Sequence, residues 1–184
     1  MRLLYHLLRN VESPQKMSFS DLYPTKEESS AYLIPYESYF ALGKRGIIYD
    51  IDNTLVMHGA PADERSIGLF TRLREIGFKT VLLSNNKDER VRPFAEAVGS
   101  MYICKAGKPA KRGYLEAIRK MGTTPETTLF VGDQIFTDVW GANRCGIETV
   151  LTCPIDPREE IQIVLKRRLE WFVLKSYRKK RKNS

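Results

Sequence analysis

From Gly46 onward the chain alternates short apolar runs with amphipathic stretches, and each amphipathic stretch stops at a glycine. The runs are "GIIYD", "KTVLLSNN", "MYICK", "TTLFVGD" and "ETVLT". Between them lie residues 63 to 76 before Gly77, 87 to 98 before Gly99, a stretch ending at Met121 before Gly122, and 138 to 145 before Gly146. Such stretches read as helices, because glycine adopts the left-handed conformation that ends a helix without steric cost. Pro93 falls inside the second and is expected to shorten it, whereas Pro109 suits the first position of the third. Strands alternating with helices predict an α/β fold: a doubly wound parallel five-stranded sheet with helices on both faces. Its strands are apolar throughout because neither face meets water.

The flanks are less regular. Leu3, Leu4, Leu7 and Leu8 fit one face of a short helix, Pro14, Pro24 and a Ser/Glu-rich stretch suggest irregular chain, and "YESYFALG" suggests a short helix stopping at Gly43. Asp156, Pro157 and Glu159 have the pattern of a capped start to a last helix. The expected organisation is a segment of residues 1–44 packing on or flanking the core, a core of 45–155, and a helix with a basic tail over 156–184. One sizeable core is the default for 184 residues. Hydrophobic and charged contents of 42% and 28% are those of a soluble globular protein, and no apolar run approaches the roughly 20 residues that cross a bilayer. No small-residue cleavage site follows "MRLLYHLLRN", so a cytoplasmic location is expected rather than secretion. Cys104, Cys145 and Cys153 are odd in number and lack a CxxC spacing, which fits idle thiols in a reducing compartment.

Ligands on such sheets bind beyond the carboxyl ends of the strands, so polar residues there matter most. The first strand ends in Asp50, Asp52 and Thr54, the second in Ser84, Asn85 and Asn86. The third is followed by Lys105 and Lys108, and the fourth by Asp133 and Asp138. Residues i and i+2 of an extended chain point the same way, so Asp50 and Asp52 face one pocket. Carboxylates gathered without His or Cys suit a hard, oxygen-seeking cation, Mg²⁺ first. Ser84 and the amides opening the next helix offer hydrogen bonds to an anion, and Lys108 offers a positive charge. A cation, an anion pocket and a carboxylate nucleophile together indicate phosphoryl transfer. Asp138 also fits a cap on the following helix. Asn85 and Asn86 suit a turn, Lys105 a solvated position, and His58 and Gln134 exposed loops.

The motifs "DIDNT", "SNN", "KP" and "GDQIFTD" stand in that order, each at a predicted strand end. In this the chain resembles the haloacid dehalogenase superfamily of phosphatases, which implies a Rossmann-like sheet. The resemblance covers roughly residues 45 to 155. "DIDNTLV", "LLSNN" and "VGDQIFTDVWGANRCGI" look most like subclass IIIA and its YqeG-type family, which is similar to phosphatidylglycerophosphate phosphatases. The resemblance implies a role for each residue. Asp50 would be the nucleophile that forms an aspartyl phosphate, and Asp52 would protonate the leaving oxygen and then deprotonate water. Lys108 would stabilise charge on the transferring group and restrain Asp50. Thr54, Ser84 and Asn85 are the substrate-side candidates, Thr54 by orienting the Asp52 region and Ser84 by binding a phosphate oxygen. Mg²⁺ would be held by Asp50, Asp133 and the backbone carbonyl of Asp52, with Asp138 next to it or acting through water.

Many members of that superfamily cover the site with an inserted cap, which needs on the order of 50 residues. Only 29 residues separate Thr54 from Ser84, and 23 separate Ser84 from Lys108, each interval already holding a helix and a strand. No cap domain is expected, and an open site suits substrates that are large or anchored. From Lys166 to Ser184 there are nine Lys or Arg and one Glu, so the whole net charge of +8 resides in this tail. Trp171, Phe172 and Tyr177 interleaved with cations suit an anionic membrane surface, so peripheral attachment at its inner face is expected. The tail carries no RNA-binding motif, which places nucleic acid behind membrane as a partner. The expected function is a Mg²⁺-dependent phosphomonoester hydrolase acting on a membrane lipid phosphate, phosphatidylglycerophosphate by resemblance. The alternatives are a capless phosphatase for a soluble or macromolecular ester, and a non-catalytic module of the same fold that binds RNA or protein.

Overall fold

The computed structural model describes residues 19–156 and 161–182. The expected helix around Leu3 to Leu8 and the expected helix start at Pro157 and Glu159 lie outside them. The strands are β1 (Lys26–Glu28), β2 (Gly46–Tyr49), β3 (Lys79–Leu83), β4 (Met101–Ile103), β5 (Thr128–Gly132) and β6 (Glu148–Thr152). They form one parallel sheet in the order β1-β6-β5-β2-β3-β4. All five predicted strands are present. The sixth, β1, is an addition: its sequence Lys-Glu-Glu carries no apolar signal, because an edge strand of three residues needs only backbone pairing with β6.

The helices are α1 (Tyr36–Ala41), α2 (Glu64–Ile76), α3 (Asp88–Val98), α4 (Lys111–Met121), α5 (Trp140–Asn143) and α6 (Ile161–Lys182). A capping box starts α2: Asp63 accepts from the Ser66 backbone N–H, and the Ser66 hydroxyl oxygen accepts from the Asp63 N–H. Gly77 ends it at φ 106°. Two expectations need correction. Pro93 lies within a complete α3, on its solvent face, where water can meet the carbonyl that the missing N–H leaves unpaired. Pro109 does not open α4, which begins after Ala110. The short helix expected over 138 to 145 is a π-helical turn, Ile135–Val139, running into α5.

Alternation along β2 builds the layers. Ile47 and Tyr49 pack with Phe70, Leu73, Val91 and Phe94 from α2 and α3, whereas Ile48 packs with Tyr114, Ala117, Ile118 and Met121 of α4. Each such side chain contributes roughly 1.5–3 kcal/mol when buried. Ile34, Tyr36 and Tyr39 from the segment before β2 join the first layer. A third cluster unites Leu22, Ile135, Val139 and Leu151 with Val173 of α6. No cap domain interrupts the core: α2 and β3 fill the chain between Thr54 and Ser84, and α3 and β4 that between Ser84 and Lys108. Among the described residues no helix is long and apolar enough to cross a membrane.

From β2 the chain runs outward to β3 and β4, then returns to β5 and β6 on the other side. This reversal opens a crevice at the carboxyl ends of β2 and β5.

Candidate active site

Asp50 follows β2 directly, and its N–H donates to the Val131 carbonyl of β5 at 3.0 Å, so the ladder itself fixes its place. Asp133 follows β5. Carboxylate oxygens of Asp50, Asp133 and Asp138 lie within 4.8 Å of one another, and all three residues are buried. The π-helical turn delivers Asp138. Its Oδ2 accepts from the Gln134 N–H, and Gly132 leaves the room: a Cβ there would stand 2.5 Å from that oxygen. This is why the "GDQ" motif needs its glycine.

Lys108 enters this acidic cluster from the β4–α4 connection. Its Nζ donates to Asp50 Oδ1 at 2.6 Å and to Asp138 Oδ1 at 2.7 Å. Asn85 sets the lysine backbone: its Oδ1 accepts from the Lys108 N–H and its Nδ2 donates to the Lys108 carbonyl. Burial pushes the Asp50 carboxyl up to about 8, the facing Asp138 and Asp133 push the same way, and Lys108 opposes them. Burial works against charge on Lys108, but Asp138 and Asp50 outweigh it and hold its ammonium well above the ordinary lysine range. One ammonium among three carboxylates suits the addition of a divalent cation, and the all-oxygen donor set fits a hard one.

Asp52 lines the same pocket but lies apart from the acid cluster. Its Oδ1 accepts from the Gly59 N–H at 2.8 Å and from Arg90 Nη2 at 2.9 Å, and its Oδ2 accepts from Asn86 Nδ2 at 2.7 Å. The intervening Asn53 makes this turn possible. It sits at φ 63°, a conformation asparagine tolerates better than most residues, and its side chain and backbone bond to Ile155 and Asp156.

The pocket measures about 120 Å³ and is lined by Asp50, Asp52, Ser84, Asn86, Lys108 and Gln134, with Asn53, His58, Asn85 and Thr137. That volume suits a phosphoryl group rather than a drug-sized ligand, which takes roughly 300–1,000 Å³. A larger groove of about 800 Å³ runs along β4 and α4 but touches none of the three clustered acids. Ser84 lines the pocket, and its Oγ accepts from the Asn86 N–H. Thr54 is not among the residues that line the pocket: its hydroxyl is buried and donates to Asp133 Oδ1 at 3.2 Å, as a brace for that carboxylate.

Two contributors escape sequence reasoning. Arg90 lies 38 positions from Asp52, and only the docking of α3 against the β2 loop joins them. Glu170 of α6 is buried and accepts from the Ile135 N–H at 2.7 Å, which ties the last helix to the loop that carries Asp133. One signal for Glu170 was present, the lone acid in a basic tail.

A model of haloacid dehalogenase-like hydrolases matches residues 61–146. Probable phosphatase YqeG of Bacillus subtilis is 37% identical over 137 residues, covering 74% of this chain and 80% of that protein. Phosphatidylglycerophosphate phosphatase 1, chloroplastic/mitochondrial, of Arabidopsis thaliana is 31% identical over 166 residues, 80% of this chain but 45% of that longer protein. Among solved structures, an uncharacterized protein from Listeria monocytogenes, 17% identical, superposes with a TM-score of 0.51 over 63% of this chain and 85% of that one, which shows a shared fold. Sequence likeness, sheet order and the acid cluster at the strand reversal agree, and the chain belongs to the haloacid dehalogenase-like hydrolases as one of their phosphatases.

Proposed function

We propose that the protein is a Mg²⁺-dependent phosphomonoester hydrolase that works through an aspartyl phosphate on Asp50 and acts on a membrane lipid phosphate of the phosphatidylglycerophosphate type. The observation that carries the chemistry is the grip of Lys108 on Asp50 beside Asp133 and Asp138. Lys108 fixes one Asp50 oxygen and so orients the carboxylate. An Asp50 oxygen attacks phosphorus, and the bond from phosphorus to the leaving oxygen breaks. Asp52 gives that oxygen its proton, and the alcohol departs. Asp52 then takes a proton from water as the water oxygen attacks phosphorus, which frees inorganic phosphate and regenerates both aspartates. Ser84 and the Lys108 ammonium face the phosphoryl oxygens. Asp50, Asp133, Asp138 and the Asp52 carbonyl would hold Mg²⁺, which when bound offsets the negative charge of nucleophile and phosphate.

Two features support a lipid substrate. One is the likeness to the Arabidopsis thaliana enzyme. The other is α6, which exposes Leu169, Trp171 and Phe172 beside Lys175, Lys179, Lys180 and Arg181, whereas Tyr177, expected on the same surface, is buried against Tyr23. An aromatic pair flanked by cations suits the headgroup layer of an anionic leaflet. An apolar groove of about 420 Å³, lined by Leu151, Pro154, Trp171 and Leu174, reaches Asp133 from the same side. The test is phosphate release from detergent-dispersed phosphatidylglycerophosphate against soluble phosphate esters, with Mg²⁺ and with EDTA. Co-sedimentation of wild type and Trp171→Ala/Phe172→Ala with anionic vesicles accompanies it. A preference for soluble esters without vesicle binding moves the substrate to solution. Absence of any Mg²⁺-dependent hydrolysis refutes the reading outright.

A further inference from the structure

We propose that Arg90 selects the substrate: it leaves Asp52 to bind a second acidic group, and so favours phosphate monoesters that carry another oxyanion a few bonds from the scissile phosphate. The inference rests on the phosphatase reading above, with Asp52 as the proton donor.

The geometry around Asp52 comes first. Gly59, Asn86 and Arg90 engage both of its oxygens. Oδ1 carries two donors and Oδ2 one, so Oδ1 meets a leaving oxygen when Gly59 or Arg90 lets go. The Gly59 donor is backbone and the Asn86 amide is short and neutral. Arg90 has a long side chain, a permanent charge and 20% exposure, so it is the partner that an anion can draw away.

The second observation is the arginine's own bonding. Arg72 meets Glu37 through Nε and Nη2 at 2.8 and 2.6 Å, and Arg178 meets Glu27 through the same edge at 3.2 and 2.8 Å. In each pair two parallel donors take two carboxylate oxygens. Arg90 uses only half of that edge on Asp52. Its Nε is buried and has no acceptor among the described residues, and Asp52 Oδ2 bonds to Asn86 instead. A phosphodiester or carboxylate supplies two oxygens at the spacing this edge is built for.

The charge layout limits where such an anion can sit. On the nucleophile side the Lys108 ammonium is committed to Asp50 and Asp138, and a cation held there would be shared among the carboxylates and the scissile phosphate, which leaves no free positive charge for a second anion. Arg90 is the permanent cation bonded to the leaving-group side, and exposed His58, 4.0 Å from Asp52 Oδ1, lines the same side. The pocket itself holds little beyond a phosphoryl group, so the rest of the substrate leaves it past Asp52.

The experiment measures kcat/KM for two matched soluble esters, 3-hydroxypropyl phosphate and its analogue with a methyl phosphodiester in place of the hydroxyl. Their ratio is the readout, so a general loss of activity cancels. Wild type is expected to prefer the diester-bearing ester by about tenfold or more, and Arg90→Gln to bring the ratio close to one. Should Arg90→Gln fail to fold, Arg90→Lys carries the same test: it keeps the charge but not the two-donor edge, and most of the preference goes. A wild-type ratio near one, or a preference that survives both substitutions, overturns the proposal. Detergent-dispersed phosphatidylglycerophosphate forms a further arm. Arg90 dependence there as well as in the soluble analogue locates recognition in the headgroup anion, whereas dependence with the lipid alone refutes it. Hydrolysis of p-nitrophenyl phosphate, which carries no second anion and a leaving group that needs little protonation, separates the two failures. Absence of hydrolysis of every one of these esters in wild type sinks the phosphatase reading, and hydrolysis without a second-anion preference sinks this inference alone.

Discussion

Asp50 and Asp52 stand two residues apart and line one pocket, yet their surroundings are opposite. Asp50 faces two other acids and one ammonium, and burial adds to the cost of its charge. Asp52 faces donors: a backbone N–H, an amide and a guanidinium. The first setting favours a carboxylate that yields charge to an electrophile or a cation. The second holds a carboxyl in place by contacts that can be exchanged one at a time. The difference arises from what the neighbouring elements bring: β5 and the π-helical turn on one side, α3 and its preceding loop on the other. The chain direction makes the two residues neighbours, and the fold makes them unlike.

The sharpest way to break this comparison is to remove the charge of each in turn. Asp50→Asn is expected to lower phosphate release by about 10⁴-fold or more on every ester, because no other group can take the phosphoryl. Asp52→Asn is expected to cost about 10²–10⁴-fold on alkyl phosphates and far less on p-nitrophenyl phosphate, whose leaving group needs little protonation. Equal losses on both ester types in Asp52→Asn would show that the two aspartates do not divide the work. Steady-state rates with both substrates decide it.

The fold was largely legible because each βα unit carries its own punctuation: an apolar run, a helical repeat and a glycine such as Gly77 or Gly99 at positive φ. β1 was not, since Lys26–Glu28 pairs through backbone alone. Asp50, Ser84, Lys108 and Asp133 were legible as candidates because strand ends converge in a parallel sheet, and the fold brings them to one pocket or its rim. Thr54 was expected to orient the Asp52 region, but the left-handed Asn53 turns the chain and its hydroxyl bonds to Asp133 instead. The partners of Arg90 and Glu170 were illegible because they depend on how helices dock, which no local spacing records, although Glu170 stood out as the lone acid of the tail.

The Asp50 side also predicts a pH dependence. Its carboxyl rises from 3.8 to about 8, chiefly through burial. Below that value a proton occupies the group that a cation would use. The apparent Mg²⁺ affinity should therefore fall as pH drops below about 8, by up to about tenfold per unit, measured by calorimetry. Stability runs the opposite way in metal-free protein. A carboxyl raised in the folded state costs nothing below the unfolded value near 4, and its cost grows as pH rises to about 8. Asp50→Asn should thus raise the Tm of the metal-free protein above that of wild type at pH 8, by about 4 °C or more, and hardly at all at pH 4. A flat difference in Tm across that range would remove the electrostatic contrast with Asp52.

The smallest expected effect tests whether the contrast is confined to the rim. Glu170 reaches from α6 to the N–H of Ile135, two residues beyond Asp133, and α6 is held elsewhere by Val173, by Ser176 against Tyr23 and by Arg178 on Glu27. Because those other contacts persist, Glu170→Ala should leave α6 docked but cost about 1–3 kcal/mol, since a buried N–H loses its acceptor. The Asp133 loop is then free to relax, so Mg²⁺ affinity should fall by about tenfold or less, while Glu170→Gln, which keeps an acceptor, should recover most of it. If Tm falls in Glu170→Ala and Mg²⁺ affinity does not, α6 is a strap for the fold alone. If both fall together, the basic helix and the Asp50 side of the pocket form one mechanical unit in which Asp52 has no part, and the two carboxylates differ in what they are coupled to as well as in what surrounds them.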